Sequence, residues 1–440
     1  MQQPAWSKTP LHVIVKPTGP ICNLRCGYCF YLEKEALYPD ERQWRMTAET
    51  LETYLRQYIA AQPEGDDPID FAFQGGEPTL MGLDFFRSFI ELERKYLPPG
   101  RRFQNSLQTN GMLLDDAWCE LLRENRFLVG LSLDGPADLH DAYRRDKAGS
   151  PSFDRVMQSV RRLQRHGVEF NVLACVHRCN GDHPARVYNF LRDIGASFIQ
   201  FIPIVRRQEG LRPGGTKRRR PEEMATPWSV LPKQFGRFLT GVFDLWIRRD
   251  VGRLFVRDFD EALAAWTGKG ANVCVYQQRC GRAVALEHNG DLYCCDHFVE
   301  PDCLLGNIHR QAIAELANSS QQEQFGEQKL LSLPDVCRVC RFRFACHGGC
   351  PKDRFLDTAE GLPGLNYLCE GLKMFFSHVE PHMDAMTAEL KGGGTADAVM
   401  RRLRAQEWQA RRTFSAGPVS RNAPCPCGSG RKFKNCCLRE

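Results

Sequence analysis

Cys22, Cys26 and Cys29 follow a short apolar run at C-x3-C-x2-C spacing, and of all residues in the chain their type and spacing imply chemistry most directly. Four cysteines close a [4Fe–4S] cluster and make it an electron carrier, so three thiolates leave one iron free to bind a substrate or cosubstrate. Two plainer readings stand beside this one. Zinc sites ordinarily come as two C-x2-C or C-x2-H pairs, of which this loop would be one half. Free cysteines are also common in protein cores.

Most of the remaining cysteines fall into two further groups. The first runs Cys274-x5-Cys280, Gly290-x4-Cys295, Cys337-x2-Cys340-x5-Cys346-x3-Cys350 and Cys369. A zinc ribbon of Cys337, Cys340, Cys346 and Cys350 is one reading, but it would orphan the other four. The second group is the tail, Cys425, Cys427, Cys436 and Cys437, at C-x-C-x8-C-C spacing. A segment this short cannot bury a core, so a structural metal would have to fold it. Four thiolates suit tetrahedral Zn2+. Cys119, Cys175, Cys179, Cys294 and Cys303 stay outside these groups, and Cys294 makes the Cys295 assignment ambiguous by one residue.

Twenty cysteines in 440 residues would suggest disulfides in a secreted protein. The N-terminal MQQPAWSKTP has no basic region followed by an apolar stretch, and no run approaches a membrane span. The expectation is a cytoplasmic protein, off the membrane, whose clustered cysteines bind metal. The net charge of +6 is mild for the length. Much of it lies in Arg206, Arg207, Arg212, Lys217, Arg218, Arg219 and Arg220, a Gly/Pro-containing stretch. That stretch reads as a solvated loop, with an acidic partner or nucleic acid as the less favoured alternative.

These groups need a scaffold. Apolar runs rich in β-branched or aromatic residues recur at 11–15, 69–73, 103–108, 127–133, 168–176 and 197–202, and segments of helical period lie between them at 47–61, 83–95, 115–125, 152–166 and 184–194. Such alternation predicts an α/β fold, a (β/α)6 partial TIM barrel with its active site at the C-terminal ends of the strands. The expected division is a core barrel at 1–205, a basic linker loop at 206–228, a second cysteine region at 229–390, a helical spacer and linker at 391–420, and a zinc-binding tail at 421–440.

The first cysteine loop resembles the signature of the radical S-adenosylmethionine (SAM) enzymes, in which the amino and carboxylate groups of SAM chelate the open iron. By that resemblance Gln74-Gly75-Gly76-Glu77-Pro78 looks like the GGEP motif that holds the methionine part of SAM, with Gly76 nearest it. It likewise implies SAM contacts at Ser132 and Arg144, the adenine side at Tyr28 and an apolar contact at Val205. Asp134 also matches a family position, although before Gly135 it reads equally as a turn former. The second cysteine region resembles the SPASM domain. That likeness implies one auxiliary cluster on Cys274, Cys280, Cys295 and Cys350 and another on Cys337, Cys340, Cys346 and Cys369, both serving electron transfer. Three [4Fe–4S] clusters result. The tail resembles the SEC-C motif, which implies Zn2+ and docking to a chaperone or export factor.

Within the SPASM group the resemblance is to the anaerobic sulfatase-maturating enzymes, across nearly all of residues 10–385, in CNLRCGYCFYLEK, FAFQGGEPTL, NSLQTNG, FLVGLSLDGP, VEFNVL and LYCCDHFV. Such enzymes oxidise a cysteine or serine of a sulfatase to Cα-formylglycine, with a reductant such as flavodoxin or ferredoxin. The resemblance makes Asp296 the general base, with a surface or supporting carboxylate as the plainer reading, and has Gln74 and Tyr31 face the substrate peptide. A zinc tail is no part of the ordinary maturase pattern. The alternatives are a SPASM maturase of another ribosomal peptide and a non-catalytic Fe–S or zinc scaffold.

Overall fold

The computed structural model describes residues 10–211, 220–414, 420–425 and 431–436. The six apolar runs form strands β1 (His12–Lys16), β2 (Ile69–Phe73), β3 (Phe103–Thr109), β4 (Leu128–Ser132), β5 (Phe170–Val176) and β6 (Phe198–Pro203). The periodic segments between them form helices α1 (Ala48–Ala60), α2 (Leu83–Tyr96), α3 (Asp116–Glu124), α4 (Phe153–His166) and α5 (Pro184–Asp193). Side-chain caps start two of these helices: Thr47 accepts from the Thr50 N–H, and Asp115 from the Trp118 N–H. Each strand pairs in parallel with the next, from β1 to β6. Helices cover the sheet, and an aromatic cluster fills the layer between, with Phe71, Phe73, Phe86, Phe89, Tyr54 and Tyr58 all buried. The Phe73 and Phe89 rings meet edge to face at 4.7 Å.

The sheet does not stop at six strands. After α6 (Pro232–Arg249), the two-residue β7 (Phe255–Val256) adds beside β6 and leads into α7 (Arg257–Thr267). On the opposite edge β8 (Ala283–Glu287) runs parallel to β1, followed by antiparallel β9 (Asp291–Tyr293) and β10 (Leu304–Asn307). The order is β10-β9-β8-β1-β2-β3-β4-β5-β6-β7. Without β8, the open edge of β1 would expose a row of unpaired backbone groups beside the cysteine loop. The second cysteine region is therefore joined to the barrel by a continuous sheet.

Helix α8 (Cys369–Lys391) lies against α6 and α7, and α9 (Asp397–Phe414) lies against α6 and α8. The expected spacer is thus a packed helix up to Phe414. Val399 and Met400 are buried, and Arg248 of α6 donates to Glu407 at 2.6 Å. In the basic stretch, Arg206 pairs with Glu33, and Arg220 pairs with Glu222 and Glu223. Arg212, Lys217, Arg218 and Arg219 lie outside the described residues, as do Cys427 and Cys437 of the tail. Cys425 is buried, and its N–H donates to the Arg431 carbonyl at 2.7 Å. Among the described residues no helix is long and apolar enough to cross a membrane.

Candidate functional site

The cysteine loop leaves the C-terminal end of β1, and the turns after β2 and β3 hold it. Glu77, buried after β2, accepts from the backbone N–H groups of Thr79 and Asn110 and from the Thr109 hydroxyl at 2.7–3.0 Å. Asn110 in turn donates from Nδ2 to Asn23 Oδ1 at 2.7 Å and to Cys22 Sγ at 3.5 Å. In the sequence Glu77 stands out only as part of the GGEP motif and Asn110 only as part of NSLQTNG, with no role of their own. Their place directly after strands, where such a fold keeps its active site, was the available signal.

Gly76 sits against the cysteine loop itself. A Cβ there would stand 2.0 Å from the Ile21 carbonyl oxygen, while the Gly76 N–H donates to Gly19 O at 2.8 Å. The close approach that the glycine permits on this side is to the protein's own backbone.

Burial pushes the Cys22 thiol up to about 11, with Glu77 and Cys29 adding. Burial pushes Cys26 higher still, with Cys29 and Cys22 adding. Thiols such as Cys22 and Cys26, whose ionisation burial and neighbouring thiols oppose, become thiolates readily once a metal cation is present. This donor set fits a cluster.

Tyr28 and Arg144 meet at Asp134. The Tyr28 hydroxyl donates to Oδ2 at 2.5 Å, Arg144 donates from Nε to Oδ2 at 2.8 Å and from Nη2 to Oδ1 at 3.1 Å, and the Cys175 N–H donates to Oδ1 at 2.8 Å. Asp134 is fully buried. Burial alone would raise its pKa, but the Arg144 guanidinium outweighs that and holds the carboxyl below the usual range. Asp134 is therefore the hub that orients both residues, which is more than a turn former does. The Tyr28 ring stacks on His177 with centroids 5.7 Å apart. Outside this hub, half-buried Ser132 ends β4 and accepts from Gln108 Nε2 at 3.0 Å, and half-buried Val205 follows β6.

Asp296 follows β9 and forms an ion pair with Lys16, the last residue of β1. Burial favours the neutral acid, yet Lys16 and then His297 oppose it and leave the carboxyl below its ordinary pKa. Lys16 Nζ lies 4.1 Å from the centroid of the Tyr31 ring, and the Tyr31 hydroxyl donates to Glu287 at the end of β8. Gln74, half-buried, donates its N–H to Val15 O at 2.9 Å. Sequence reasoning missed Lys16 and Glu287. Each is the single charge ending an apolar strand.

The auxiliary cysteines separate into two groups. Cys295 is pushed up by burial, with Asp296, Cys274 and Cys350 adding. Burial takes Cys280 to about 11, with Cys274 adding, and Cys350 to about 12, with Asp353 and Cys280 adding. Cys346 reaches about 12 through burial, with Cys369, Cys337 and Cys340 adding. Cys337, Cys340, Cys346 and Cys369 line one concavity of about 450 Å³, open mouth included. Cys294 is hydrogen-bonded to Cys303 through both its thiol and its backbone N–H, the latter at 2.9 Å.

The chain matches the radical SAM superfamily over residues 17–191, the iron-sulfur cluster-binding SPASM domain over 274–341 and the SEC-C motif over 421–439. It is 45% identical to the serine-type anaerobic sulfatase-maturating enzyme of Bacteroides thetaiotaomicron, over 90% of this chain and 95% of that one. It is 32% identical to the cysteine-type enzyme of Clostridium perfringens, over 87% of this chain and 100% of that one. The solved structure described as native anSMEcpe with bound AdoMet and Cp18Cys peptide superposes with a TM-score of 0.76 at 32% identity, covering 87% of this chain and 100% of that one. Given a three-cysteine loop at the strand ends, two further cysteine groups beside it and identity at this level over nine-tenths of its length, the chain belongs to the anaerobic sulfatase-maturating enzymes of the radical SAM superfamily.

Proposed function

We propose that the protein oxidises a serine or cysteine of a sulfatase polypeptide to Cα-formylglycine without oxygen. The observation that carries this reading is Asp296, a half-buried carboxylate whose pKa is held below the ordinary range by Lys16 of β1, the strand that leads into the cysteine loop. In this assignment Cys22, Cys26 and Cys29 hold the open cluster, and Tyr28, Gly76, Ser132, Arg144 and Val205 bind SAM. Cys274, Cys280, Cys295 and Cys350 hold one closed cluster, and Cys337, Cys340, Cys346 and Cys369 the other. Their grouping by mutual electrostatic influence supports the division.

Bound at that loop, the cluster and SAM supply the radical that removes a Cβ hydrogen from the substrate. The carbon left behind carries a hydroxyl or thiol, and one proton and one electron must still leave to give the aldehyde or thioaldehyde, the latter then hydrolysed. Asp296 takes the proton. A positioned base of this kind contributes about 10²–10⁴-fold. Cys295, its neighbour in the chain, would hold the cluster able to accept the electron. Relatives of the serine type are 45% and 37% identical and those of the cysteine type 34% and 32%, which favours serine as a substrate side chain.

The same proposal has the enzyme work in the cytoplasm with flavodoxin or ferredoxin as reductant, and has Cys425, Cys427, Cys436 and Cys437 hold Zn2+ in a tail that docks a chaperone or export factor. The units are the core barrel to residue 205, the basic loop to 228, the two-cluster region to 390, the α9 segment and linker to 420, and the tail. Mass spectrometry of serine and cysteine versions of a sulfatase peptide, incubated anaerobically with reconstituted enzyme and SAM, tests the reading. Loss of two hydrogens at the serine supports it. SAM cleavage with both peptides unchanged contradicts it. Deleting residues 415–440 should leave turnover of such a peptide unchanged and reduce only the activation of full-length sulfatase in cells.

A further inference from the structure

Lys16 is 2% exposed at the last position of β1, and its register partner across the parallel β1–β8 pair is Glu287. An ammonium so far from water is costly unless it is paired. Asp296 supplies the opposite charge. The Tyr31 ring lies 4.1 Å below Nζ, within cation–π range, and the Tyr31 hydroxyl is anchored on Glu287. At the other end of the side chain Gly75, at φ +127°, lies against the Lys16 backbone: a Cβ there would stand 3.3 Å from Lys16 Cα and 3.1 Å from Gly19 O. Tyr31 and the region after β9 thus hold one cation, whose hydrogen-bond partner of opposite charge among the described residues is Asp296 Oδ1.

We propose that Lys16 is a positioning residue of the oxidation. It holds Oδ1 of Asp296 so that Oδ2 is aimed at the hydroxyl or thiol of the substrate, and so ties proton removal to the strand that carries the SAM-cleaving loop. This rests on the reading of Asp296 as the base. In the productive step the substrate radical R–•CH–OH would give its hydroxyl proton to Asp296 Oδ2 as the C=O double bond forms, and the auxiliary cluster that Cys295 would help to hold would, when oxidised, supply the acceptor for the one electron released. With the carboxylate misaimed, the radical instead takes one electron from the assay reductant, dithionite, and one proton from solvent. The starting side chain R–CH2–OH is then recovered and SAM has been spent. An aiming role therefore predicts uncoupling, whereas a merely structural role predicts a slower but still coupled enzyme.

The test compares full-length wild type, Lys16→Met, Lys16→Gln and Lys16→Arg, each reconstituted and counted for iron, with a serine sulfatase peptide in D2O. Lys16→Met should raise 5′-deoxyadenosine formed per formylglycine about tenfold or more, as expected when a reacting group is misplaced by about 1 Å. Deuterium should appear at Cβ of the unconverted peptide. Peptide affinity, read by fluorescence anisotropy, should stay within about twofold of wild type, and Lys16→Arg should recover most of the coupling. Should Lys16→Met lose iron, Lys16→Gln, which keeps a donor without the charge, takes its place with the same expectation. A wild-type ratio and no deuterium in the neutral variant with full iron would overturn the role of Lys16. Failure of the underlying reading is distinguishable, because wild type would then form no formylglycine, or Asp296→Asn would form it normally.

Discussion

Arg144 grips Asp134 with two nitrogens, at 2.8 and 3.1 Å, where the carboxylate is wholly buried and the guanidinium nearly so. The same carboxylate receives the Tyr28 hydroxyl beside the cysteine loop. Removing one partner of such a pair strands the other charge away from water, at a cost of about 3–5 kcal/mol. Asp134→Ala should destabilise the protein by that amount in urea unfolding of the reconstituted form and weaken SAM binding in the same preparation. An unchanged midpoint together with unchanged SAM affinity would remove Asp134 as the hub.

The pH response of stability should carry the signature of His140. Fully buried, its Nδ1 accepts from the Asp134 N–H at 3.3 Å and its Nε2 lies 3.0 Å from Ser152 Oγ, an arrangement that suits the neutral ring. Burial pulls the imidazole down to about 3. Between that value and the ordinary pKa near 6.5 the unfolded chain binds a proton that the folded chain refuses, so stability falls as the pH falls through this window. His140→Gln should flatten the fall by up to about 1.4 kcal/mol per pH unit. An identical slope in wild type and variant between pH 4 and 6.5 would contradict the assignment.

Gly76→Ala should disable the loop without touching a cysteine. The added methyl would lie 2.0 Å from the Ile21 carbonyl oxygen, which must then move and carry Cys22 with it. Overpacking of this kind costs about 1–3 kcal/mol. The expected outcome is loss of SAM cleavage, with about four irons lost and the eight of the auxiliary clusters retained. Full iron with wild-type cleavage would show that the loop tolerates the methyl.

The barrel was legible because each of its strands is a compact apolar run bounded by helical periodicity, so that 69–73 coincides with Ile69–Phe73 and 103–108 falls one residue short of Phe103–Thr109. Strands β7 to β10 were not, since runs of two to five residues carry too little pattern to register. The three-cysteine loop and the ordered run from Cys274 to Cys369 stood out by spacing, while the division of that run into two ligand sets came only from the likeness to the SPASM domain. Lys16 was missed because the apolar run was ended one residue before it, and its partner lies 280 positions away. Asp134 was read as turn or site, and only the fold brings Tyr28, Arg144 and the Cys175 N–H onto it. Gly76 carried a local motif whose neighbour, Ile21, comes from another turn of the chain.

The central claim is that Asp296 removes the proton that completes formylglycine, and Asp296→Asn tests it most directly. The measurement is parallel quantification, in one anaerobic reaction with a serine sulfatase peptide, of 5′-deoxyadenosine by chromatography and of formylglycine by mass spectrometry, with iron counted in the same sample. The account predicts about twelve irons per chain, continued 5′-deoxyadenosine formation and a fall in formylglycine of about 10²-fold or more. Formylglycine at the wild-type yield from a variant with full iron would contradict it.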